Sequence, residues 1–167
     1  THCTHPLGAR TLTPRPERLL ALSGVAFAVL LVVGFLISGG NTPDYAADDQ
    51  EWTRWADGNE IKSRIGAFLA LLAGLAGLHF MATVRSMWGR VETTVRGSDQ
   101  LARVAFAGGL VGITGITLAI VMRAGASAEG ADADPTVTRA VASATLVGPF
   151  LVAAMGFAAF LAAGGLL

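Results

Sequence analysis

Four stretches of the chain carry no charge in their interior, and this constrains its fold more than any other feature. They run over residues 19–38, 65–84, 104–122 and 140–163. A helix of about 20 apolar residues is long enough to cross the roughly 30 Å hydrocarbon layer of a bilayer. Inside lipid every backbone donor and acceptor needs a partner within the protein, so each stretch is expected to be helical. The apolar residues are continuous rather than alternating, which argues against strands. The predicted fold class is all-α: a transmembrane helical bundle of four spans. The first stretch is long for the apolar core of a signal peptide, and no A-x-A cleavage pattern follows it.

Only 14% of the 167 residues are charged, against about 25% in a soluble domain. The net formal charge is zero, which gives a nucleic-acid partner no electrostatic support. The single cysteine, Cys3, excludes an internal disulfide. Residues 1–14 are expected to be disordered and 15–167 to form one membrane domain. The chain begins on Thr1 and ends on Leu167 within an apolar run, so it reads as a fragment of a longer protein.

Basic residues predict the orientation. Arg10, Arg15 and Arg18 precede the first span, and Arg85, Arg90, Arg96 and Arg103 surround the connection between spans two and three. Five others, Arg54, Lys62, Arg64, Arg123 and Arg139, fall on the opposite side. The bias places the N-terminus in the cytoplasm, in a multi-pass protein of the cell membrane.

The first outer connection has its own pattern. Thr42-Pro43-Asp44 suits a helix start and Gly58 a stop. Between them Tyr45, Trp52 and Trp55 fall near one helical face, predicting a short interfacial helix with its aromatics toward lipid and its acids toward water. Together with Trp88 they are the expected interfacial anchors. Asn59 is then placed to cap the second span. Ala124 to Asp134 reads as a mobile loop, and Asp134-Pro135-Thr136 as the start of the last helix.

Small residues recur at four-residue spacing: Gly24 and Ala28, then Gly66, Ala70 and Gly74, then Gly108 and Gly112, then Ala140, Ala144 and Gly148. Such stripes let membrane helices approach closely. Packing within the chain is the first expectation and a homodimer seam the sharper alternative. Pro149 should kink the fourth span.

Few residues suggest chemistry. His79 is the one titratable residue deep within a span, so it and Pro149 are the speculative functional positions. Thr114, Thr117, Ser143 and Thr145 are candidate partners for His79. His2, Cys3 and His5 match no standard zinc spacing. Asp44, Asp48, Asp49 and Glu51 lack the spacing of a calcium loop. No nucleophile elbow, phosphate loop or helical pair of histidines occurs. No catalytic residue, cofactor or metal is therefore expected.

Several segments follow in a distinctive order: the Arg-flanked first span, the outer segment rich in Pro, Asp and aromatics, Arg64-Ile65-Gly66-Ala67-Phe68-Leu69, Leu101-Ala102-Arg103-Val104-Ala105-Phe106-Ala107-Gly108-Gly109, and Asp134-Pro135-Thr136. Over roughly residues 15–167 this order resembles a family of uncharacterised actinobacterial multi-span integral membrane proteins with a domain of unknown function. The resemblance implies a six-span whole and carries no activity, substrate or catalytic residue. The expected function is that of a non-enzymatic structural, accessory or partner-binding membrane component. Its partners would be the bilayer and a second copy or another membrane protein. The alternative is a small transporter with a site near His79 and Pro149.

Overall fold

In the computed structural model the described residues are 16–38, 42–132 and 134–166, and they form no strand. The expectations for residues 1–14, including His2, Cys3 and His5, lie outside them. The helices are α1 (Pro16–Ile37), α2 (Asp49–Arg96), α3 (Gln100–Ala126), α4 (Pro135–Val147) and α5 (Pro149–Gly165), with one 3-10 turn, Gly130–Asp132, before α4. Three segments are long and apolar enough to cross a membrane: α2, α3 and the α4–α5 pair. α1 adds a shorter apolar stretch, Leu22–Ile37. The fold is an all-α bundle of membrane type.

α2 departs most from expectation. Its 48 residues extend about 72 Å, more than twice the hydrocarbon thickness, so it projects beyond the apolar window 65–84 at both ends. It begins at an Asp48 cap, where the carboxylate accepts from Glu51 N at 2.8 Å, and not at Thr42-Pro43-Asp44. It passes through Gly58 without stopping, so no separate interfacial helix forms. Asn59 donates within the helix to Trp55 O at 2.8 Å and caps nothing. The reason is a continuous buried stripe. Trp52, Trp55, Ala56, Ser63, Gly66 and Ala70 recur at helical spacing, and burying the indoles outweighs the roughly 1 kcal/mol that a mid-helix glycine costs. An added Cβ at Gly58 would meet nothing within 4 Å. Gly58→Ala should therefore stabilise the protein by about 0.5–1 kcal/mol, read as a higher denaturation midpoint in detergent.

The helices pack in a row. α1 lies on α2, α2 on α3, and α3 on α5, and no extensive contact closes α1 onto α5 among the described residues. Glycines set the two tightest seams. A Cβ on Gly66 would meet Gly34 O of α1 and Ser38 Cβ just past its end, each at 2.6 Å, and one on Gly108 would meet Gly156 O and Phe160 N of α5, each at 2.8 Å. Gly34 in turn lies against Ala70, while Gly74 turns to Thr117 of α3. The stripes of spans two and three thus pack within the chain, as expected. Ala140, Ala144 and Gly148 do not: all three are exposed. α4 instead buries Thr138, Ala142 and Thr145, because its inner face is turned toward the aromatics of α2. The small residues that α5 does bury are Ala153, Gly156 and Ala163.

Pro149 acts as predicted, and more sharply. Without an N–H it cannot continue the ladder, so the last span divides into α4 and α5 at Gly148. Asp134 caps α4 as expected, its carboxylate accepting from Thr136 N at 2.8 Å and Val137 N at 3.3 Å. The connection after α3 is not the loose loop expected. Ser127 and Gly130 are buried, and Arg64 donates to Ala128 O at 3.0 Å while pairing with Glu60 at 2.7 Å.

Candidate functional site

At one end of the bundle α2 turns into α3 through Gly97, whose φ of 72° is the left-handed conformation that favours glycine. Its N–H closes the helix on Thr93 O at 3.0 Å. The hairpin leaves an open groove of ≈ 700 Å³ between the two helices, lined by Ala82, Arg85, Ser86, Gly89, Arg90, Thr93, Thr94, Asp99 and Ala102. This arginine end combines polar side chains with helix walls at the limit of the apolar window.

Each group in the groove is held locally. The Arg85 guanidinium stands over the Phe106 ring, 5.1 Å from its centroid. Arg90 Nε donates to Ser86 O at 2.9 Å. The Ser86, Thr93 and Thr94 hydroxyls donate back to their own helix at 2.8, 2.6 and 2.8 Å, which keeps their lone pairs available. Arg103 pairs with Asp99 at 2.7 Å. That hydrogen bond holds the Asp99 carboxyl below its ordinary value, against the opposing push of desolvation, so Asp99 is anionic at neutral pH.

Beside the groove lies a buried carboxylate. Glu92 is 2% exposed and accepts from Leu101 N at 3.0 Å and Ala102 N at 2.9 Å. Asp99, at the usual capping position of α3, makes no side-chain cap bond. Glu92 therefore satisfies the free N–H groups of α3 from the preceding helix, where the dipole also favours negative charge. Glu92→Ala should cost about 1–3 kcal/mol by stranding those donors. Glu92→Gln, with one acceptor oxygen left, should cost less. Denaturant titration followed by circular dichroism reads both, and equal midpoints for wild type and Glu92→Ala would remove the cap from the account.

The opposite end holds the aromatics, and here the anchor expectation fails. Trp52 is 0% and Trp55 8% exposed, packed with Ala56, Ala126 and Ala142 rather than facing lipid. Arg139 of α4 stands over Trp52 at 5.9 Å and Arg123 of α3 over Trp55 at 6.0 Å. Arg139 also donates to Ala47 O at 2.9 Å and Asp49 Oδ1 at 3.0 Å. Because α2 runs on as one helix, its indoles meet the ends of α3 and α4 instead of lying flat on the bilayer. Tyr45 is half exposed, and Trp88 stacks on Phe160 of α5 at 5.4 Å.

The chain matches no protein-family model, no curated protein and no solved structure.

The two speculative positions do not share a site. His79 is exposed on α2, and Pro149 lines an apolar groove between α3 and α5 with Leu110, Thr114, Gly115 and Val152, so α3 stands between them. None of the hydroxyls proposed as partners bonds to His79. Ser143 donates to Arg139 O and Thr145 to Ala142 O, each at 2.7 Å, and Thr117 Oγ1 is buried without a hydrogen bond. Among the described residues no three His, Cys, Asp or Glu side chains gather as a metal site. Sequence reasoning used Arg85 and Arg90 only as topology markers and passed over Glu92. The available signal was the spacing of Arg85, Ser86, Gly89, Arg90 and Thr93, which puts polar groups on one face immediately after an apolar window.

Proposed function

We propose that this protein is a non-enzymatic membrane component that acts by binding, as a structural or accessory subunit. The row arrangement carries the reading. Among the described residues, helices joined side by side, with glycine seams inside the row, leave two broad apolar faces, and no extensive contact closes the row into a ring. Exposed Val29 and Val32 of α1 and Leu151 and Leu161 of α5 mark the outer helices. Such faces meet lipid or the helices of a partner, another copy or a different membrane protein. The basic bias around the α2–α3 hairpin favours a cell-membrane protein with its N-terminus in the cytoplasm, and the motif order favours the actinobacterial family named above.

Cross-linking in native membranes tests this. Single cysteines at Val29 and Leu161, in a Cys3→Ser background, should each trap a second polypeptide. A chain that stays monomeric in nanodiscs and gives proteoliposomes a solute flux that Pro149→Ala or His79→Ala abolishes would replace this reading with the transporter alternative. A cysteine at Ser98 should resist impermeant maleimide in intact cells, and ready labelling would reverse the orientation.

A further inference from the structure

The arginine-end groove does not stand alone on α2. Leu71, Leu75, Leu78, Ala82, Ser86 and Gly89 follow one another at spacings of three or four, so they share a helical face. The first three border a second groove of ≈ 350 Å³ against Ile113 and Thr117 of α3, and the last three border the polar one. Two separate grooves, one apolar and one basic, thus follow each other along one face of α2 beside α3.

The dimensions match one leaflet. Leu75 sits at the middle of the apolar window and Arg85 immediately past its end, ten residues and about 15 Å along the helix. Half of a roughly 30 Å hydrocarbon layer is the same length. An acyl chain lying in the seam from Leu75 toward Ala82 would bring its headgroup level with Arg85 and Arg90.

The charges have the required sign. Neither Arg85 nor Arg90 is in an ion pair among the described residues. The Asp99 carboxylate that faces the groove is paired with Arg103 and also lies within electrostatic reach of Arg85, while Glu92 is turned to the α3 backbone. Two guanidiniums with spare donors fit the phosphate of a lipid with no compensating headgroup cation. A zwitterionic lipid would bring its ammonium to the same two arginines.

We propose that the α2–α3 seam is a binding site for one anionic glycerophospholipid, its phosphate on Arg85 and Arg90 and one acyl chain in the apolar groove. The site is independent of whether the protein serves as an accessory subunit.

The test is native mass spectrometry of the detergent-purified full chain titrated with phosphatidylglycerol or phosphatidylcholine. Wild type should retain one phosphatidylglycerol in preference to phosphatidylcholine. Arg85→Gln with Arg90→Gln should weaken that retention about thirtyfold, the scale expected for two basic residues at a headgroup. Arg54→Gln with Lys62→Gln removes the same charge from the other end and should leave it unchanged. Asp99→Asn should tighten it. Inorganic phosphate at millimolar concentration should not displace the lipid, since it lacks the chain. A thermal-shift measurement on wild type guards against a variant that fails to fold: phosphatidylglycerol should raise the midpoint more than phosphatidylcholine does. Equal retention or equal shifts for the two lipids, equal loss in both double variants, or displacement by free phosphate would each overturn the proposal.

Discussion

Trp52→Ala should lower stability by about 3–5 kcal/mol, the largest effect expected of any single replacement in this chain. Trp52 is wholly buried at the centre of a cluster that joins α2 to α3 and α4 through Ala126 and Ala142. Its ring meets Trp55 edge-on at 5.9 Å and lies beneath the Arg139 guanidinium. Removing it opens a cavity and takes away the aromatic face on which Arg139 rests, leaving only the bonds of that guanidinium to Ala47 and Asp49. Trp52→Phe separates packing from hydrogen bonding. The Trp52 Nε1 atom is buried and has no hydrogen-bond partner among the described residues, so phenylalanine loses ring volume but no bond. It should cost well under half as much as alanine. Unfolding in a denaturing-detergent titration, followed by circular dichroism, gives both numbers. A Trp52→Ala protein that unfolds with wild type would mean that the Trp end does not hold the bundle together.

Gly156→Leu should be nearly as severe, costing about 3 kcal/mol and separating α3 from α5. A Cβ at Gly156 would press into Gly112 N and come within 2.7 Å of Gly108 O and 2.8 Å of Gly112 Cα. All are backbone atoms, which have no rotamer to change, so relief requires the helices to move apart. Overpacking usually costs about 1–3 kcal/mol, and an obstacle made of backbone belongs at the top of that range. In lipid the loss matters more than its size suggests, because apolar tails compete on equal terms for any face that no longer fits. Gly125→Ala is the matched control, since a Cβ there meets nothing within 4 Å. A disulfide engineered between the α3 and α5 backbones near Gly112 and Gly156 should form readily in wild type and poorly in Gly156→Leu. Equal formation would place the seam elsewhere.

The seam glycines were legible in the sequence for a simple reason. Inside hydrocarbon the side chains that face a neighbouring helix are selected by size, and size shows as spacing. Gly66, Ala70, Gly108 and Gly112 were found that way. The same reasoning failed at Ala144 and Gly148, because α4 is turned by the Pro149 break and by the aromatics it covers, and spacing within one helix does not report how a neighbour rotates it. The aromatic helix failed for a related reason. Gly58 and Asn59 carry local stop signals worth about 1 kcal/mol, and the burial of Trp52 and Trp55 by residues seventy or more positions away exceeds that.

The groove was legible only in part. Arg85 and Arg90 were visible as charges past an apolar window, but Ser86 was not singled out and Glu92 was passed over, since nothing in its neighbours announces that it will cap a helix beginning eight residues later. That role depends on the left-handed turn at Gly97, which brings the end of α2 beside the start of α3.

The sequence alone determined that this chain is helical and of membrane type, because desolvating the backbone in lipid leaves helices as the one solution for long uncharged stretches, and that constraint is local. It also determined where the last span would break, because a missing N–H at Pro149 is covalent. Which faces meet, which indoles are hidden and where charges gather were decided by tertiary structure. These follow from the rotation and tilt of each helix against the others, a balance of many contacts that no single segment contains.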